Sequence, residues 1–200
     1  MPNTTPENLI LLCGELITDG TFFNTVSGKV FFEYTMKITL PSGTDLLPVL
    51  ICNEQIDDTV KKGAVLSVTG KIISLDCPLG ENAEPILKVL VEEVYAGETE
   101  ITSGVFLTGN VIRKPYAFFL DEIERAEFQL AVGSETDPVY IPVVALGEPA
   151  SVAKKLQLGD CVSVLGQFHS FEYLDLNNQE ATQKTAYEVE ILTFTALPEI

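Results

Sequence analysis

Tryptophan is absent from this 200-residue chain, histidine occurs once, and 12 Lys and Arg stand against 29 Asp and Glu. The net charge of −17 argues against a protein that binds phosphates over its whole surface, because such proteins are basic. A local basic groove can nevertheless coexist with an acidic remainder. The lone histidine, His169, is typical of a structural or solvent-exposed side chain rather than of a catalytic or metal-binding one.

The four cysteines form no CxxC pair, which excludes the usual zinc sites and a disulfide framework. They are Cys13, Cys52, Cys77 and Cys161. Each has apolar neighbours, so we interpret them as small core residues in a reducing cytosol and expect a cytoplasmic protein. No apolar run approaches the ~20 residues that a membrane span needs. The N-terminus has neither the basic nor the apolar region of a signal peptide.

Motifs of catalysis are also missing from the sequence. It contains no GxSxG, HExxH or Walker sequence and no glycine-rich dinucleotide loop. Carboxylates are plentiful, but none stands in a recognisable acid–base pair. We therefore predict a protein that is not an enzyme and has no cofactor, metal or catalytic residue.

An internal repeat organises what is present. Four blocks recur in the same order at offsets of 94 to 96 residues. The aligned blocks are 11–14 with 106–109, 47–50 with 141–144, 63–70 with 159–166, and 91–94 with 189–192. The polar stretch 97–100 suits a short linker, so we predict domains at 1–99 and 100–200.

Each half has the pattern of strands, one short helix and two further strands. The helices are predicted at 53–60, with Asn53 as N-cap, and at 148–156, where Pro149 opens the helix and Gly159 follows it. Hairpin turns are expected at Pro41-Ser42-Gly43 and at Asn177-Asn178. This order predicts an all-β chain of two tandem five-stranded oligonucleotide/oligosaccharide-binding (OB) barrels. A β-sandwich is the alternative, although it would not need a helix at that point.

The second half resembles bacterial single-stranded DNA-binding protein (SSB). The resemblance covers about residues 104 to 197 and depends on an ordered set of blocks. These are Leu107-Thr108-Gly109-Asn110-Val111, 126–132, Tyr140-Ile141-Pro142-Val143-Val144-Ala145-Leu146-Gly147, Gly159-Asp160-Cys161-Val162-Ser163-Val164-Leu165-Gly166-Gln167-Phe168, and 187–191. The resemblance implies an OB fold that holds single-stranded DNA. The sequence ends at Leu197-Pro198-Glu199-Ile200, so we expect the chain to lack the acidic tail of the SSB family and to resemble the tail-less primosomal OB proteins in this respect.

In that family, aromatic side chains on the barrel stack against bases. The resemblance places Tyr140 and Tyr173 at such positions, with Phe171 on the same strand face as Tyr173. Leu146 stands where the family usually has phenylalanine, and the chain lacks tryptophan, so we expect weaker binding than in the family. In the first half Leu46 takes the place of Tyr140, which predicts a scaffold or dimerisation unit there.

Phosphates would need cations along the same groove. The candidates in the second half are Arg113, Lys114, Arg125, Lys154, Lys155 and Lys184. The alternative is that they are solvated surface charges. Lys154 and Lys155 are already explained by their position at a helix end. Tyr116, Phe118 and Phe119 could extend the stacking surface or pack a loop onto the barrel.

Three functions are compatible with these observations. The first is binding of single-stranded DNA, with RNA as an alternative ligand, in replication, repair or recombination. Two barrels per chain would then make a homodimer with four barrels, acting with replication proteins and away from membranes. The second is an OB protein-interaction module that has lost DNA affinity and docks a basic partner. The third is an OB domain for an oligosaccharide or another small ligand.

Overall fold

The computed structural model describes residues 7–26, 28–75, 85–97, 103–134, 136–175 and 182–197. The expected turn at Asn177-Asn178 lies outside these residues. Strands of the first half are β1 (Asn8–Leu16), β2 (Thr21–Val26), β3 (Lys29–Leu40), β4 (Gly43–Cys52), β5 (Val65–Ser74) and β6 (Leu87–Ala96). The second half has β7 (Gly104–Leu120), β8 (Ile123–Ser134), β9 (Asp137–Leu146), helix α1 (Glu148–Ala153), β10 (Cys161–Asp175) and β11 (Thr182–Ala196).

Five strands of each half close into a barrel, which confirms the predicted OB architecture. In the second half the order is β7-β8-β9-β11-β10, and β10 pairs back with β7. In the first half β1-β5-β6-β4-β3 closes by pairing of β3 with β1, and β2 adds a hairpin strand to β3. The same two strand pairs, β4–β6 and β9–β11, are parallel. The two halves thus share one pattern of strand pairing.

Alternation along the strands fills both barrel interiors. On β9 the side chains of Ile141, Val143 and Ala145 are buried in the core, so the residues between them face outward. The core interpretation of the cysteines holds for Cys52, which is buried, whereas Cys13 and Cys161 are half-buried and Cys77 lies outside the described residues. Burial raises the pKa of the Cys161 thiol. No helix in the part of the chain that the structure describes is long and apolar enough to cross a membrane.

The helices are shorter than the sequence predicts. Helix α1 ends at Ala153 instead of Leu156, and it begins after Gly147, whose φ of 63° favours glycine. The predicted helix at 53–60 is wrong, because only a 3-10 turn forms at Asn53–Gln55. Beyond it, the carboxylate of Asp57 accepts hydrogen bonds from the backbone N–H and the hydroxyl of Thr59. Such a local turn competes with helical hydrogen bonding.

Two repeated glycines occupy places where strands approach too closely for a side chain. Gly70 and Gly166 each lie at a register shift between the fourth and fifth strands of their barrel. A Cβ on Gly166 would lie 2.3 Å from the carbonyl oxygen of Glu190, and one on Gly70 would lie 2.2 Å from that of Leu90. Both contacts are with backbone, which cannot rotate away. The repeat of these glycines therefore has a steric cause.

The two barrels are joined edge to edge by their first strands. β1 pairs antiparallel with β7, with Asn8 opposite Leu107 and Leu11 opposite Gly104. The backbone N–H of Cys13 also donates to the Ser103 hydroxyl at 3.0 Å. Since β7 continues to β10 and β1 to β5, one sheet runs through both barrels.

A second contact between the barrels is polar and buried. Asp45 on β4, only 4% exposed, accepts hydrogen bonds from the backbone N–H of Ser170 at 2.7 Å and from its hydroxyl at 3.1 Å. Its other oxygen lies 3.0 Å from Nδ1 of His169. The backbone N–H of Leu46 donates to the Ser170 hydroxyl at 3.0 Å. His169 thus contacts the junction between barrels, and the strand that carries Leu46 is docked against the second barrel.

Candidate nucleic-acid interface

Tyr140 lies on the outer face of the second and third strands of the second barrel, the face that OB folds use for oligonucleotides. Its side chain is half-buried, and its position between the partly buried Val139 and the core residue Ile141 directs it away from the interior. Its partner across the ladder is Ala131. Along the face the next pair is Gln129 with Pro142. All three neighbours are uncharged, so a base could approach this ring without meeting a carboxylate from them.

Phe171 and Tyr173 lie together on the β10–β11 hairpin. Their ring centroids are 6.4 Å apart, which confirms that they share a strand face. Phe171 is 40% exposed and Tyr173 is half-buried, whereas Phe168 is buried in the core as its alternation predicts. The pairing of β10 with β7 ends at Gly166, so both residues lie on the part of β10 that no longer pairs with β7. Lys184 is the ladder partner of Tyr173, which places an aromatic ring beside a cation.

Arg113 and Lys114 are exposed on β7, where the pairing with β8 shifts register twice. Bulges of this kind re-aim side chains. Arg113 is opposite Gln129, and Gln129 is opposite Pro142. Adjacent strands lie about 4.8 Å apart, so Arg113 is about 10 Å across the sheet from the strand that carries Tyr140. The structure therefore brings Arg113 and Tyr140 to one outer face.

Arg125 is engaged by two carboxylates. Its Nε donates to Oε1 of Glu127 at 2.6 Å, and its terminal Nη2 donates to both oxygens of Glu188 at 3.0 and 3.2 Å. Burial alone would lower the pKa of Arg125, but the two carboxylates outweigh it and raise the pKa. Burial raises the pKa of Glu188 despite the opposing effect of Arg125. Arg125 thus neutralises an acidic end of the outer face.

Lys154 also has a carboxylate partner. Its Nζ lies 2.6 Å from Oε1 of Glu124, and the Ser151 hydroxyl donates to the same carboxylate. The hydrogen bonds from Lys154 and Ser151 hold the pKa of Glu124 below its usual range. This contact ties the end of α1 to β8 and supports the structural interpretation of Lys154. Lys155 is exposed.

Replacing Arg125 with glutamine should lower the free energy of unfolding by about 2 kcal/mol at neutral pH, because Glu188 loses its main countercharge. The side chain of Glu188 is only 17% exposed. The loss should shrink in mildly acidic buffer, since protonated Glu188 needs no countercharge. Urea denaturation at both pH values measures it. The double variant Arg125→Gln/Glu188→Gln is the control and should recover part of the loss; equal losses at both pH values would contradict this account.

Several features of the face were not predicted from the sequence. Gln129 and Ala131 could have been placed on it from the alternation of β8, whose residues Phe128, Leu130 and Val132 are buried. The contact of Arg125 with Glu188 could not, because Glu188 is 63 residues away in the chain. Within the described ranges, no group of three or more His, Cys, Asp or Glu side chains is arranged to hold a metal ion.

Comparisons with known proteins agree with this geometry at the level of fold. No protein-family model and no curated protein matches the sequence. Among solved structures, the chain is similar to the wild-type single-stranded DNA-binding protein from Thermus aquaticus, with a TM-score of 0.76 at 20% identity. The similarity covers 98% of this chain and 95% of that one. A deletion mutant of the same protein gives a TM-score of 0.76 and 20% identity, covering 98% of this chain and 97% of that one.

The N-terminal domain of PriB protein from Thermoanaerobacter tencongensis matches less of the chain. It covers 46% of this chain and 98% of its own, with 23% identity and a TM-score of 0.37. The fold assignment depends on the Thermus structures. The chain is an OB-fold protein, and it folds over nearly its full length like the Thermus aquaticus single-stranded DNA-binding protein, which confirms the resemblance as one of fold.

Proposed function

We propose that this chain binds single-stranded DNA without catalysing a reaction, in replication, repair or recombination. The observation that carries the proposal is the outward-facing Tyr140, whose ladder neighbours are uncharged and whose sheet also carries the exposed Arg113. An aromatic ring can stack on any base, so such a face binds with little sequence preference. The boundary near residue 99 between a divergent first barrel and a binding second barrel is part of the proposal.

The aromatic pair on the β10–β11 hairpin would form a second stacking position. Phe171 and Tyr173 offer rings, and Lys184 offers a positive charge beside them. Lys114 adds a second exposed cation next to Arg113 on β7. Arg125 and Lys154 would act by neutralising Glu188 and Glu124 rather than by contacting phosphates, because their charged groups are already engaged.

A salt-dependent titration with oligo-dT tests the proposal. Binding should weaken as salt rises, with a log–log slope near −0.7 for each phosphate neutralised on a single strand. The few cations of the face predict a slope of about −2 to −3, shallower than in a basic protein. Absence of binding at low salt would contradict the proposal and favour the protein-interaction module. A matched titration with oligo-rU would show whether RNA is an equal ligand.

A homodimer with four barrels is the proposed assembly. The outer face of the continuous sheet carries an apolar row across the barrel junction, formed by Leu9, Phe106 and Leu165 in adjacent strands. Leu9 and Leu165 are 49% and 47% exposed. An exposed apolar patch of this kind is typical of a protein contact. Sedimentation should then give a mass of at least twice the 21.8 kDa of one chain.

A further inference from the structure

The distal part of the β7–β8 hairpin, residues 112–125, extends past the end of the β7–β10 pairing; we name it the arm. Pairing of β7 with β10 ends at Asn110, so within the described residues only β8 pairs with β7 in the arm. Four of its large apolar side chains are more than half exposed: Tyr116 69%, Phe119 70%, Leu120 55% and Ile123 53%. The β8 side of the arm is held to the barrel, because Arg125 pairs with Leu146 on β9 and the Glu124 carboxylate bonds to Lys154 at 2.6 Å. The exposed apolar side chains of this supported hairpin indicate a contact site.

Charge is arranged with opposite signs at the two ends of the arm. Arg113 and Lys114 form its root, and Asp121 and Glu122 form its tip. The tip is a tight turn in which both acidic residues have positive φ, 48° and 67°. Among the described residues, the structure records no ion pair for Lys114, Asp121 or Glu122. Lys114 and Asp121 are separated by about 23 Å of extended strand, so they cannot meet within one arm.

We propose that the arms of two copies of this chain pack antiparallel against each other. The basic root of each arm then lies beside the acidic tip of the other, and the aromatic middles, with Tyr116 and Phe119, cover one another. A two-fold axis makes each of these contacts occur twice. Pro115 and the two bulges interrupt the backbone edge, so side chains make the contact rather than a continued sheet. This contact is separate from the apolar row of Leu9, Phe106 and Leu165, goes beyond the proposed function and needs no DNA.

Other occupants match only part of the arm. A nucleic acid strand would be repelled by Asp121 and Glu122 at the tip. A basic protein segment would match the tip but not Arg113 and Lys114 at the root. A second copy is complementary to both ends and to the apolar middle, because it presents the same surface in the opposite direction.

Zero-length carbodiimide coupling tests the contact directly, because it joins only amines and carboxylates that touch. Equal amounts of unlabelled and ¹⁵N-labelled chain are refolded together without DNA, coupled and digested. We expect peptides of mixed isotopic composition that join Lys114 to Asp121 or Glu122. The span of the arm excludes this link within one chain, so a complete lack of mixed-isotope peptides at this pair would overturn the proposal.

A charge exchange gives an independent test by sedimentation equilibrium. Asp121→Lys/Glu122→Lys should weaken self-association about tenfold, because like charges then face each other. Adding Arg113→Glu/Lys114→Glu reverses both ends and should restore the wild-type affinity. Asp19→Lys/Asp58→Lys changes the net charge equally at exposed positions of the first barrel and should not weaken association. Unchanged association of Asp121→Lys/Glu122→Lys, or failure of the fourfold exchange to restore association, would overturn the proposal, whatever the oligo-dT titration shows.

Discussion

Tyr140→Ala should weaken oligo-dT binding by about 1–3 kcal/mol, roughly 5- to 150-fold in Kd, because each stacked base contributes about that much. The ring lies on the outer side of β9, opposite the small side chain of Ala131, and no other aromatic residue adjoins it across this ladder. Its removal therefore leaves a flat surface with nothing for a base to stack on. Fluorescence anisotropy at low salt measures the change in Kd.

Tyr140→Phe is the matched control, since it keeps the ring and removes only the hydroxyl. It should bind within about twofold of the wild type if stacking is the main contribution. Leu46→Ala changes the equivalent position of the first barrel and should leave affinity unchanged. Equal affinities for the wild type and Tyr140→Ala, with both proteins folded, would remove the face from the binding site.

The largest expected effect on stability follows from Gly166→Ala. The new Cβ would lie 2.3 Å from the carbonyl oxygen of Glu190, and neither strand can yield without breaking the β10–β11 ladder. Overpacking against backbone should cost about 3 kcal/mol or more. Thermal unfolding and soluble yield report the loss.

Gly104→Ala provides the comparison for that result. Gly104 also lies in a strand, but a Cβ there would meet only the carbonyl oxygen of Gly166 at 3.8 Å, an ordinary contact. The alanine should be neutral or slightly stabilising, because it restricts the unfolded chain. Similar melting temperatures for the two variants would show that the closeness at Gly166 is not what selects glycine there.

The architecture could be predicted from the sequence because its signals are local and repeated. Alternation identified the strands, and the blocks around Gly70 and Gly166 aligned because the same steric constraint acts on both. The helix predicted at 53–60 was wrong for an equally local reason. The Asp57 carboxylate accepts the hydrogen bond of the Thr59 backbone N–H in a turn. A composition that is compatible with a helix does not show whether such side-chain hydrogen bonds or helical backbone hydrogen bonds will form.

The site could be predicted only in part, because its electrostatics depend on distant residues. The sequence identifies Arg125 as a cation, but its contact with Glu188 arises only when β8 and β11 lie on the same side of the barrel. Asp45 and His169 likewise meet across the junction between the two barrels. The shared face of Phe171 and Tyr173 was easier to predict from the sequence, since these aromatic residues are two positions apart on one strand.

The pairing of β1 with β7 has a consequence for how this protein can change over evolutionary time. When identical subunits build such a sheet, every substitution is copied into every site. Here the neighbouring barrels have separate sequences, so one can carry Leu46 where the other carries Tyr140 at the aligned position. Because both barrels belong to one polypeptide, dilution cannot separate them. The two barrels therefore stay paired even when their sequences differ.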